Sequence, residues 1–231
     1  MIFVNARALL KRYPGRGIFA GATTGKPAFF YVVTGRSEAS RKRLAHVRRE
    51  RVSINAHHAT VFDKLWKRMV DPLRHYDCVR VRYRRAFIAN GSHLDAFVKP
   101  YTSRLLLGET LRRFGPENDQ LQTPRIAGVV HHDGTALLGI VTAHETTVVA
   151  AAPGRRFTGI VTYDGSPKEP KPFAFKKPLM LAVSGRTADE LARNAFALLN
   201  PQLCVCAVAG IFDKHWKLAA INAQLNRLLP K

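Results

Sequence analysis

Short apolar runs alternate with turn-forming clusters along the chain, and the period of the apolar positions switches several times. GIFAGAT (17–23) and PAFFYVVT (27–34) read as two strands, and the intervening Thr24-Gly25-Lys26-Pro27 predicts a hairpin. In HHATVFDKLWKRMV (57–70), Val61, Leu65 and Met69 recur every fourth residue, with Phe62, Trp66 and Val70 one step behind; that wide stripe predicts a helix. Short strands follow at CVRVRY (78–83) and AFIAN (86–90), then a helix at SRLLLGETLRRF (103–114). RIAGVVHHDGTALLGIVTA sets Asp133-Gly134 between two apolar runs, a strong hairpin signal, and ETTVVAA extends it into a meander.

The Pro/Lys-rich SPKEPKPFAFKKP (166–178) interrupts the pattern and is expected to be a surface loop. PLMLAVSG then resumes as a strand, and Thr187-Ala188-Asp189-Glu190 has capping-box spacing at the start of a helix. CVCAVAGIF reads as a buried strand, and Leu218, Ile221, Leu225 and Leu228 predict a closing amphipathic helix. A sheet with two apolar faces must be covered on both. The strand groups and helices therefore predict one α+β domain over 1–231, a four-layer αββα sandwich.

Charge adds a partner class. The chain has 37 Lys+Arg against 16 Asp+Glu, a formal net charge of +21, which exceeds what solubility requires and implies anionic partners. Most of the excess lies in the first half, and 41–85 is densely basic. In VRVRYRR (79–85), alternation puts Arg80, Arg82 and Arg84 on one strand face, a basic stripe suited to tracking phosphates. An enzyme relative recruited as a basic RNA-binding or ribonucleoprotein component is therefore the alternative to a small-molecule enzyme. No apolar run approaches a membrane span, so no membrane partner is expected. A cytoplasmic location is expected, with an organelle matrix as the alternative because MIFVNARALLKR contains Arg and no acid.

Several candidate chemistries fail on spacing. Gly21-Ala-Thr-Thr-Gly25-Lys26-Pro27 has too few residues between its glycines for a triphosphate loop, and Pro27 stands where a hydroxyl is needed. His57-His58 and His131-His132 lack metal-ligand spacing, and Cys78, Cys204 and Cys206 form neither a disulfide framework nor a Cys-x-x-Cys knuckle, so no metal is expected. Ile2 follows Met1, which supplies no N-terminal Ser, Thr or Cys nucleophile.

Four blocks, YPGRGIFAG (13–21), GRSEASRKR (35–43), NGSHLDAF (90–97) following YDCVRV (76–81), and QTPRIAGVV (122–130), occur in an order and spacing that resemble the IMP cyclohydrolases of the archaeal type and their bacterial relatives. The resemblance implies a fold of the N-terminal-nucleophile-hydrolase type without the nucleophile. It also implies closure of the second purine ring of formylated aminoimidazole carboxamide ribotide, giving IMP and water without a cofactor. It leaves a homo-oligomer open.

Such a reaction is intramolecular, so the protein must orient the formyl group, offer donors to its oxygen, move protons and grip the remote phosphate. By resemblance, Arg36, Ser37 and Arg41 fall on the nucleotide-binding segment, whereas Lys42 and Arg43 read as surface. Tyr76 matches a proton-donating tyrosine, Asn90 and Asp95 match the Asn-Gly motif, and Thr123 and Arg125 complete the binding set. Glu117 and Asp119 are the available acid/base carboxylates, although the archaeal pattern has a carboxylate nearer the threonine, where this chain has Gln120.

Overall fold

The computed structural model describes residues 5–55, 76–174 and 178–226; the helix expected over 57–70 lies outside them. Two antiparallel sheets dominate. The first contains β1 (Arg16–Thr23), β2 (Lys26–Thr34), β10 (Phe157–Val161), β11 (Leu179–Leu181), β12 (Cys204–Phe212) and β13 (Trp216–Asn222), in the order β11-β10-β1-β2-β12-β13. The second runs in chain order through β3 (Leu44–Arg48), β4 (Arg51–Asn55), β5 (Tyr76–Arg82), β6 (Arg85–Ala89), β7 (Arg125–Val130), β8 (Ala136–Val141) and β9 (Thr146–Ala151). The Thr24-Gly25 and Asp133-Gly134 turns join β1 to β2 and β7 to β8 as their turn chemistry predicts, with both glycines at positive φ.

The sheets pack face to face through one apolar core that includes Ile18, Tyr31, Ile88, Ile126 and Ile140. Contact is close at Gly128, where an added Cβ would meet the Ile18 methyl at 3.0 Å, and the Tyr31 and Tyr76 hydroxyls meet at 3.0 Å across the interface. On the outer side of the first sheet, α5 (Ala188–Ala197) buries Leu191, Ala192 and Ala195 against β12 and β13. Its N-cap Thr187 accepts from the Glu190 N–H, while the Glu190 carboxylate reaches back to the Arg186 N–H at 2.9 Å. The short α1 (Ala6–Lys11), capped by Asn5, packs beside β11. On the outer side of the second sheet, α3 (Leu94–Phe97) and α4 (Arg104–Phe114) lay Phe97, Leu107 and Leu111 over Phe87 and Val129, forming a separate apolar cluster. Among the described residues one substantial helix serves each outer face.

Three local expectations change. Leu218 and Ile221 lie on β13, not on a helix, because β12 offers a full antiparallel partner over Cys206–Phe212; Leu225 lies on α6 (Ala223–Asn226), and Leu228 lies outside the described residues. PLMLAVSG contributes a strand only at Leu179–Leu181. VRVRYRR is not one strand: Tyr83 and Arg84 form a hairpin turn, so Arg80, Arg82 and Arg84 do not share a strand face. Residues 164–172 run over the surface and are pinned by the Asp164 N–H to the Lys171 carbonyl and the Phe173 N–H to the Thr162 carbonyl. Among the described residues no helix is long and apolar enough to cross a membrane.

Candidate active site

At one end of the sandwich, the start of β1, the end of β2, the start of β3, the loop before β7 and the end of β10 surround a cavity of about 270 Å³. The Tyr13-Pro-Gly-Arg segment is clamped there. Gly15 accepts from the Thr34 N–H, the Thr162 hydroxyl donates to the Pro14 carbonyl, and the Arg16 N–H donates to the Thr162 hydroxyl. Gly15 has φ +67°, and a Cβ on it would fall 2.2 Å from the Thr162 hydroxyl oxygen, so no larger residue fits. This clamp turns the Arg16 side chain inward, 9% exposed, where it faces Arg43, 7% exposed.

Neither guanidinium has a carboxylate within 4 Å among the described residues, and each leaves a buried Nε without a partner. Burial and the neighbouring Arg16 charge push Arg43 below its ordinary range, yet a guanidinium remains protonated in any aqueous protein. Two like charges so placed are costly alone, and a bound anion would relieve both. Arg36, Ser37 and Ser40 form the rim. The Ser37 hydroxyl accepts from the Ser40 N–H, folding α2 (Glu38–Arg41) back against Gly35, whose missing side chain leaves room for Ser40.

The opposite wall is acidic. In the loop from α4 to β7, the Glu117 N–H bonds to the Thr123 carbonyl, and Asp119 accepts from both the Thr123 N–H (2.9 Å) and its hydroxyl (2.6 Å). Because the Thr123 proton is given to Asp119, the Tyr163 hydroxyl donates to the Thr123 oxygen at 2.5 Å. Burial pushes the Tyr163 phenol up to about 12, so it stays a donor at neutral pH. Its ring stacks on Tyr13 with centroids 5.7 Å apart.

Glu117, 4% exposed, has Arg125 Nη1 at 4.0 Å. Burial pushes its carboxyl up, against the pull of Arg16 and Arg125. Behind it, His93 donates from Nε2 to the Ile126 carbonyl at 3.1 Å and keeps Nδ1 unpartnered; burial and Arg125 push it down to about 3, so it is neutral.

Of the residues expected from the sequence, Arg36, Ser37, Glu117, Asp119 and Thr123 line the cavity together. Arg125 stands behind Glu117 with its guanidinium over the Phe114 ring. Tyr76 is buried between Tyr31 and the Arg16–Arg43 pair and does not reach the lining. Asn90 is a backbone clamp, donating to the Pro124 carbonyl and accepting from the Ile126 N–H.

Arg41 and Asp95 lie elsewhere. Arg41 borders a separate hollow with Glu38 and Gln224, and Asp95 pairs with Arg80 on the outer side of the second sheet. Arg43, expected on the surface, is buried in the cavity. Tyr13, Arg16 and Tyr163 went unassigned. The first two sit inside the YPGRG block, whose paired Gly and Pro signalled a constrained loop, whereas nothing local to Tyr163 marks it. Among the described residues no three His, Cys, Asp or Glu side chains are grouped to hold a metal ion.

A family model described as IMP cyclohydrolase-like protein matches residues 13–215. A Methanocella arvoryzae protein named IMP cyclohydrolase is 30% identical over 215 residues, spanning 91% of this chain and 98% of its own length. The protein of that name in Halobacterium salinarum is 33% identical over 152 residues, 63% of this chain and 72% of its own. That of Haloquadratum walsbyi is 30% identical over 217 residues, 92% and 97% respectively.

Proposed function

Because the chain belongs to the IMP cyclohydrolase-like family, we propose that its cavity closes the purine ring of formylated aminoimidazole carboxamide ribotide to give IMP and water. The carrying observation is the pair of buried guanidinium groups, Arg16 and Arg43, opposite Glu117 and with no carboxylate within 4 Å among the described residues. In this reaction the carboxamide nitrogen attacks the formyl carbon, and the C=O electron pair moves onto oxygen. That oxygen then leaves as water, taking one proton from the carboxamide nitrogen and one from the formamido nitrogen.

The buried cations supply donors where that negative charge develops, on guanidinium groups largely shielded from solvent. Glu117, whose proton affinity burial raises, accepts a nitrogen proton as the carboxylate and then delivers that proton to the departing oxygen, ending as it began. Asp119 fixes Thr123 and, through it, the Tyr163 hydroxyl, leaving a polar wall with defined directions. Arg36 and Ser37 at the rim take the ribotide phosphate, whose remote binding energy orients the two reacting groups. The arrangement of helices outside two facing sheets supports reading the fold as N-terminal-nucleophile-hydrolase-like.

The test is direct: purified protein with the formylated ribotide, followed by purine absorbance. Turnover that falls on the order of a hundredfold in Arg16→Gln and Glu117→Gln, with the fold intact by circular dichroism, supports the assignment. Wild-type protein that releases no IMP overturns it.

A further inference from the structure

The cavity uses few of the chain's basic residues, and many of the exposed ones gather at the other end of the sandwich. There the β3–β4 hairpin ends in Arg48, Arg49, Glu50 and Arg51, and the β5–β6 hairpin in Arg82, Tyr83, Arg84 and Arg85. The two tips lie side by side, with Arg51 opposite Arg80 and the Val81 N–H bonded to the Glu50 carbonyl at 2.6 Å. Lys214 and His215 of the β12–β13 turn lie on the same side, since the Trp216 indole N–H donates to the Arg84 carbonyl. Along β3 the cavity residue Arg43 and the tip residue Arg49 are six residues apart, about 20 Å at ~3.3 Å per residue.

Three independent costs are concentrated in those two tips. Arg49, Tyr83 and Arg84 have φ of 34°, 51° and 56°, a region that disfavours side chains with a Cβ. A turn with both central residues at positive φ prefers Asn-Gly, and the chain does place glycine in the neighbouring Thr24-Gly25 and Asp133-Gly134 turns. Arg48 is directly opposite Arg51, and Arg82 opposite Arg85, like-charge pairs that weaken a hairpin. Arg48, Arg49, Arg82 and Arg84 have no carboxylate within 4 Å among the described residues. Finally, Tyr83 is 50% exposed, with the Arg82 guanidinium 6.0 Å above its ring.

Although Arg82 lies over the Tyr83 ring and Arg84 over the Phe212 ring, a hairpin selected for stability alone would carry neither the positive φ values nor the facing arginines; strain of this kind persists where the side chains serve a ligand. We propose that this pole binds single-stranded nucleic acid, its arginines neutralising successive phosphates and Tyr83 stacking on a base. A row of cations answers the repeating charge of a phosphodiester backbone, and an exposed aromatic beside them answers a base that is free of pairing. The proposal rests on residues outside the cavity, so it stands or falls independently of the cyclisation.

The test is fluorescence anisotropy with fluorescein-labelled oligouridine and oligothymidine of about 12 nucleotides, at about 50 and 200 mM salt. Wild-type protein is expected to bind with steep salt dependence. Replacing Arg48, Arg49, Arg82 and Arg84 together by Gln should reduce the log–log salt slope by about 3. Tyr83→Asn with Arg84→Gly installs what the turn prefers; it should weaken binding roughly fivefold or more while raising the thermal midpoint, which separates lost contacts from lost fold. Cyclisation should be unchanged in both. Tighter binding of the uridine probe would identify RNA, and equal binding would identify the shared phosphodiester backbone; either supports the proposal. Three outcomes overturn it: hairpin variants that bind like wild type, an equal loss from Arg112→Gln with Arg113→Gln on α4, or displacement by poly-glutamate as effective as by unlabelled oligonucleotide.

Discussion

Replacing Arg43 by Met is expected to stabilise the protein and to disable it. Arg43 is 7% exposed, carries a buried Nε without a partner, and faces the second cation Arg16 with no carboxylate within 4 Å among the described residues. The direction of its shift says the same, since burial and Arg16 both disfavour its charge. Met has a similar stem and no charge. Removing one orphaned donor recovers about 1–3 kcal/mol, and replacing buried charge by an apolar side chain of similar volume gains about 1–4 kcal/mol in comparable cases. These ranges describe overlapping contributions, so a net gain of about 1–3 kcal/mol is expected, or roughly 2–10 °C in thermal midpoint for a chain of this size. Turnover of the formylated ribotide should fall on the order of a hundredfold, the scale for losing one donor to a developing oxyanion. Differential scanning fluorimetry with and without IMP reads both effects, because IMP should raise the midpoint of wild type far more than that of Arg43→Met. A lower midpoint in the variant without ligand would show that Arg43 is a structural cation, and the reasoning from uncompensated charge would fail.

Glu117 sets a pH dependence of stability. Its folded carboxyl titrates above its ordinary value of 4.5, so in that window the native state holds a proton the unfolded chain has released, and stability falls as pH rises through it. Glu117→Gln should flatten that segment of the midpoint-versus-pH curve and be more stable than wild type at neutral pH, with turnover lost. Asn90→Ala strands the Pro124 carbonyl and the Ile126 N–H, and should cost about 2–4 kcal/mol in urea unfolding. Arg41→Ala, away from the cavity, should leave kcat/KM within about twofold of wild type, whereas Arg36→Ala raises KM by about tenfold or more. Gly91→Ala would bring a methyl to 3.0 Å from Arg125 Nη1 and 3.5 Å from Glu117 Oε1, so kcat should drop on the order of tenfold while the midpoint moves little.

What the sequence determined by itself is local. Turn chemistry at Thr24-Gly25 and Asp133-Gly134, the Thr187 cap and the 3.6-residue period of Arg104–Phe114 act over a few residues, and each produced the element it predicts. The rim segment and Thr123 were legible through the resemblance carried by the contiguous blocks 35–43 and 122–130, and Glu117 and Asp119 as the carboxylates just upstream of the second. Where a neighbouring strand competes, local period loses: Leu218 and Ile221 fit a helix, but they pair instead in a continuous antiparallel ladder of Trp216–Asn222 with Cys206–Phe212 of β12.

The tertiary structure alone decided which arginines are buried and which are free. Arg16 points inward because Thr162, 146 residues away, clamps its backbone; Arg80 is neutralised by Asp95 across the outer face. Tyr163 is tied to the acidic wall by a hydroxyl bond to Thr123, 40 residues distant. A guanidinium reads the same in sequence whether it faces water, a carboxylate or another guanidinium, and only long-range packing sets the dielectric and the partners that give it a role.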